Sequence, residues 1–138
     1  MLHWLIDQPL LVQYALLLPL AVGGVLAWAV LGRRGRLTRR AERAARRALA
    51  AARAEGLPVR DCWVLGAVDV HPGSLAIIFN VADDATLAAL EASGAVARLR
   101  ERTLDALRQV RYPAVPSSIS VVSDETVNRE GGPAVYFR

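Results

Sequence analysis

Hydrophobic positions change period several times along this chain, and the first stretch has no period at all. From Leu10 to Leu31, LLVQYALLLPLAVGGVLAWAVL runs 22 residues without a charge. A helix of that length covers roughly 33 Å, enough for a hydrocarbon core near 30 Å, so residues 10–31 predict one transmembrane helix. Pro19 and Gly23-Gly24 within it are compatible with lipid, where neighbouring groups re-satisfy the freed backbone. The leader 1–9 carries only Asp7, His3 and the amino terminus, whereas arginines follow the run closely. The positive-inside bias therefore predicts a single-pass protein of a bacterial inner membrane, with its amino terminus outside and the remaining chain in the cytoplasm. A cleaved signal peptide fits less well. Ala27-Trp28-Ala29 imitates a cleavage site, but the apolar stretch is too long and no lysine or arginine precedes it.

Residues 32–56 change to a helical period on a basic background. Arg33, Arg34, Arg36, Arg39, Arg40, Arg43, Arg46, Arg47 and Arg53 meet only Glu42 as an acidic neighbour before Glu55. Leu37, Ala41, Ala44, Ala45, Ala48, Leu49 and Ala52 recur at helical intervals, predicting a narrow stripe of small residues that lies on a sheet while the arginines face out. Such a basic juxtamembrane helix attracts anionic lipid head groups by about 1 kcal/mol per arginine near the surface. The same charge would serve an acidic protein partner or a nucleic-acid backbone. Gly56-Leu57-Pro58 stops the helix.

Residues 57–138 then read as one small α+β domain. Asp61 to His71 alternates as a strand, with Cys62, Val64, Val68 and Val70 on one face and Trp63, Leu65 and Ala67 on the other; Gly66 marks a bulge or a close approach. A turn at His71-Pro72-Gly73-Ser74 leads into Leu75 to Ala82, whose Leu75, Ile77, Phe79 and Val81 share a face, so the two strands predict an antiparallel hairpin. Asp83 and Asp84 offer caps for a helix running to about Val110, interrupted at Ser93-Gly94 by a kink or by a junction of two helices. Ser118 to Ser123 supplies a third strand, and Ala134 to Phe137 a short edge strand or an ordered tail. The predicted fold is thus α+β: one transmembrane helix followed by a cytoplasmic α-β-β-α-β domain.

That order, together with Leu90-Glu91-Ala92-Ser93-Gly94, Arg111-Tyr112-Pro113 and the strand Ile119 to Ser123 with Asp124 after it, resembles the KH-like fold of ribosome-binding factor A. The resemblance covers roughly residues 37–124. It implies that Ala92, Ser93 and Gly94 form the alanine-x-glycine kink of that family, and that the domain contacts RNA. A membrane anchor is foreign to the family, and Glu91, Glu101 and Asp105 lie on the crossover helix.

Composition narrows the chemistry. All 17 basic residues are arginine, which fits a high-GC genome as well as any functional demand, and the net charge is +4. The eight arginines from Arg60 to Arg138 face eleven acidic residues from Glu55 to Glu130, so the excess positive charge belongs to the basic helix. The single cysteine, Cys62, excludes a disulfide framework within one chain and reads as a small buried hydrophobe. His3 and His71 are far apart and no spacing of a metal site occurs, so neither a metal nor another cofactor is expected. Asp69 and His71 share a strand face but have no nucleophile placed beside them, and they read as a hydrogen-bonded pair at a strand end. Asp124, Glu125, Asn128 and Glu130 gather oxygens in a loop, without the spacing of a calcium loop. No catalytic constellation emerges.

The sequence thus predicts a protein that binds rather than catalyses. The expected function is that of an accessory or adaptor protein whose cytoplasmic domain docks on a protein partner or larger membrane complex, with Trp63, Tyr136 and Phe137 as candidate interface aromatics. A membrane-tethered nucleic-acid binder is the alternative.

Overall fold

Alanine allows close approach, and helix α1 (Arg36–Ala54) uses it along its whole inner side. Ala41, Ala44, Ala45, Ala48, Leu49 and Ala52 are all buried, while the arginines between them project outward. The computed structural model describes residues 35–137, and from Arg36 onward they form a single packed unit. The basic helix is therefore part of the domain, packed on the sheet and on a second long helix.

Three strands make the sheet: β1 (Asp61–Leu65), β2 (Ala76–Val81) and β3 (Ser118–Ser123), in the order β1-β2-β3. β1 pairs antiparallel with β2, Trp63 opposite Ile78, and β2 pairs parallel with β3, Ile78 opposite Ser120. The return from β2 to β3 runs through α2 (Asp84–Ala92) and α3 (Ala95–Gln109). Leu75, Ile77, Phe79 and Val81 are each fully buried on the face covered by helices, as their alternation predicts. Phe79, Ile77, Leu99 and Leu107 join the alanines of α1 in one core.

The expected architecture of a transmembrane helix followed by an α-β-β-α-β domain is corrected. Among the described residues no helix is long and apolar enough to cross a membrane. The run 10–31, the leader 1–9, Arg33 and Arg34 lie outside the described residues. Among the described residues the domain has five α-helices and three strands, one helix from each half of the crossover and two after β3 among them.

First, of the kink and the two-helix junction expected at Ser93-Gly94, the structure has the junction. Gly94 takes a left-handed φ of 73° and serves as the N-cap of α3, while Ser93 closes α2. Second, the segment after β3 is helical. Ser123 accepts the Thr126 amide and starts α4 (Asp124–Arg129), and Pro133 begins the single-turn α5 (Pro133–Tyr136). The expected oxygen-rich loop is the first of these helices, and the segment expected as an edge strand or an ordered tail contains the second.

β1 is also shorter than its alternation predicts, because Gly66 turns the chain away at φ 110° where an added Cβ would run into the Ser74 carbonyl. Residues beyond it form a turn, with the Val70 and His71 amides both donating to the Ala67 carbonyl. Val70, expected on the same strand face as Val68, is consequently 77% exposed, whereas Val68 is buried. Tyr112 anchors this loop from the end of α3, its hydroxyl donating to the Pro72 carbonyl at 2.8 Å.

Candidate docking surface

Each edge of a sheet carries backbone groups that need partners. At β3 the Arg100 guanidinium, from α3, donates to the Ile119 carbonyl at 3.3 Å. At β1 the Cys62 amide donates to the carboxylate of its own neighbour Asp61 at 2.8 Å. An amide held by a side chain of its own strand is one turned to the free edge. Val64, two residues on, turns its backbone the same way, because the groups of an antiparallel ladder alternate.

That edge lies in a groove of about 560 Å³. Glu42 and Arg46 of α1 form one wall, Cys62 to Leu65 the floor, and Pro133, Ala134 and Phe137 the other wall. The aromatic wall is built edge-on. Phe137 meets Trp63 at a ring-centroid distance of 5.1 Å and 72°, and Tyr136 meets Phe137 at 5.0 Å and 85°. The structure thus brings all three predicted interface aromatics together, Trp63 and Phe137 half-buried and Tyr136 at 37% exposure. Cys62 is half-buried in the groove floor, and burial pushes its thiol above the ordinary range, aided by the Asp61 charge and opposed by Arg46 and Arg53. A raised thiol is a poor nucleophile at neutral pH, consistent with packing rather than reactivity.

Arg46 also lines a second groove with Arg39, Glu42, Arg43, Arg47 and Ala50, so the basic face of α1 continues directly from the β1 edge. A third hollow on the same helix is made by Arg36, Arg39, Arg40 and Arg43. Arg36, Arg43, Arg46 and Arg47 are exposed and form no ion pair among the described residues. Arg40 bonds to the Arg111 carbonyl at 3.3 Å, which leaves its charge uncompensated. Arg53 is used structurally, donating to the Val59 and Arg60 carbonyls beyond the helix end.

The Ala92-Ser93-Gly94 turn stands apart from these grooves. Its Ser93 carbonyl is closed by Arg98 at 3.1 Å, one arginine rather than a row of them. Asp69 and His71 do not pair. The Asp69 carboxylate instead takes the Leu37 amide at 3.0 Å and the Thr38 hydroxyl, capping α1 from a loop 32 residues away. Asp83 caps α2 as expected, accepting the Thr86 amide at 2.7 Å.

Asp84 has a further role that its capping position did not suggest. It accepts the Ser123 hydroxyl, the Thr126 hydroxyl at 2.8 Å and Arg129 at 2.6 Å, while its own amide donates to Glu125 at 3.1 Å. Those hydrogen bonds, from Ser123 first, then Arg129 and Thr126, hold its carboxyl down to about 2. Nearby, Asp124 is lowered chiefly by the Asn80 carboxamide at 2.6 Å, with Arg60 at 2.9 Å contributing. These acids tie α2, α4 and β2 together, and every one named is engaged by protein donors. Among the described residues no group of three or more metal-ligating side chains is arranged around a common point.

Sequence reasoning missed Glu42, Pro133 and Ala134 as groove walls, Asp69 as a cap and Asp84 as a hub. For the last, the signal was available: Ser123-Asp124-Glu125-Thr126 is a capped helix start with acids in its first turn, set against an Asp at the head of α2. Comparison with family models, curated proteins and solved structures finds no match to this chain.

Proposed function

We propose that this protein is a non-catalytic accessory or adaptor protein whose small α+β domain docks on a protein partner through the basic face of α1 and the adjoining β1 groove. One observation carries the reading: among the described residues Arg43, Arg46 and Arg47 stand exposed without ion pairs, directly beside a half-apolar groove along the unpaired edge of β1. A buried core of small alanines keeps α1 tight against the sheet, so the arginines are presented on a rigid element. Rigid presentation lowers the ordering cost of association.

The charge-free run from Leu10 to Leu31 and the arginines after it support a place at the cytoplasmic face of a bacterial inner membrane, where anionic head groups are a further partner for the same charge. Association with a larger membrane complex is the setting these features favour.

The test is affinity purification from native membranes in mild detergent, comparing the wild-type chain with Arg43→Glu, Arg46→Glu and Arg47→Glu combined, each with and without nuclease. A stoichiometric partner that survives nuclease and is lost on charge reversal supports docking. Recovery of RNA that disappears with nuclease overturns it in favour of nucleic-acid binding.

A further inference from the structure

We infer that the β1 edge accepts an extended segment of the partner protein as a fourth strand, and that this segment alternates acidic with apolar residues. The inference deepens the docking reading above and rests on it.

Among the described residues the sheet order leaves β1 with one neighbour, and its five residues span about 17 Å at about 3.4 Å per residue, room for a strand of similar length. The Cys62 amide donates to the side-chain carboxylate of Asp61, a contact that an incoming carbonyl can displace. Strand addition of this kind takes its affinity from backbone pairing and its specificity from alternate side chains. Here the two sides of an added strand meet different surroundings. One set of side chains lies beside Glu42 and Arg46, with Arg43 and Arg47 in the groove beyond; the other lies beside Trp63 and Phe137. Acidic residues complement the first side and apolar residues the second.

A second copy of this chain is a poor occupant. Pairing β1 with β1 would bring two α1 helices together, each with exposed unpaired arginines and a single glutamate. At β3 the other edge is already bridged by Arg100.

The experiment uses the full chain in detergent with three fluorescein-labelled peptides: alternating glutamate and valine, the same residues in two blocks, and alternating lysine and valine. Fluorescence anisotropy reads affinity, and hydrogen exchange followed by NMR reads the Cys62 and Val64 amides. The alternating acidic peptide is expected to bind at least tenfold tighter than either comparator and to slow exchange at both amides. Val64→Pro, which removes an outward amide, should abolish that binding, and Arg46→Glu, at an exposed position that leaves the core untouched, should weaken it about tenfold. Equal binding of block and alternating peptides, or no slowing at these amides, overturns the inference. Partner capture that survives Val64→Pro and Arg46→Glu overturns it too, while leaving the docking reading in place.

Discussion

Asp69 holds the first turn of α1 by accepting the Leu37 amide at 3.0 Å, with Thr38 bonded to its other carboxylate oxygen. The helix has no acid of its own in that turn, so the loop after β1 supplies the anion that the helix dipole favours. Asp69→Ala should therefore cost about 1 kcal/mol, the usual worth of an N-cap. Urea unfolding reads it as a lower midpoint with unchanged slope. An unchanged midpoint would mean that the interaction adds nothing to stability.

Acid should weaken the domain through the α2–α4 junction. The folded carboxyl of Asp84 lies at about 2, below the about 3.9 of an unfolded aspartate. A depressed carboxyl contributes its stability above the unfolded value and loses it as pH falls through the folded one. The loss should thus fall between about pH 4 and pH 2, with Asp83 and Asp124 acting in the same direction. Asp84→Asn should flatten the acid limb of unfolding midpoint against pH. A limb as steep as that of the wild type would assign acid sensitivity elsewhere.

Two glycines should differ in their tolerance of alanine. At Gly94, φ is 73° and, among the described residues, an added Cβ would meet only the Arg98 guanidinium at an ordinary 3.6 Å, so the cost is about 1 kcal/mol of left-handed strain. At Gly66 the same strain is joined by a collision with the Ser74 backbone, and Gly66→Ala should cost more, about 1–3 kcal/mol. Equal midpoints for the two variants would contradict this ordering.

The contact between Trp63 and Phe137 fastens the C-terminal helices to β1. A double-mutant cycle with Trp63→Ala and Phe137→Ala should give a coupling of about 0.5–1.5 kcal/mol, as edge-on aromatic pairs do. Additive effects would show that the rings pack independently.

What could be read from sequence follows the range of the forces involved. The shared face of Leu75, Ile77, Phe79 and Val81 follows from every-second-residue spacing, the bounds of β3 at Ser118–Ser123 from a short apolar run between serines, and the alanine stripe of α1 from helical spacing. The end of β1 did not follow, because it depends on Gly66 meeting Ser74 and on Asp69 reaching Leu37, both contacts between separate segments. The C-terminal helices were hidden for a different reason: a run of acids after a strand reads equally as ligands or as a capped first turn, and only the opposing Asp84, Asn80 and Arg60 decide between them. The groove was out of reach altogether. Its walls come from Glu42 and Arg46, Cys62 to Leu65, and Pro133 to Phe137, three stretches that no local pattern connects.

Opposite sides of α1 should answer to mutation in opposite ways. Ala44 is fully buried, and Ala44→Leu should overpack the core at about 1–3 kcal/mol. Arg47→Ala, on the exposed side, should change stability by no more than about 0.5 kcal/mol. Thermal unfolding of the two variants checks both, and a large loss for Arg47→Ala would place that side chain in the fold.

Because α1 packs on the domain mainly through alanines and Leu49, the exposed residues Arg43, Arg46 and Arg47 are free to vary without renegotiating the core. One helix therefore carries two independent messages: an alanine script that specifies how the chain folds, and an arginine script that can be rewritten, residue by residue, to suit a different partner on the same frame.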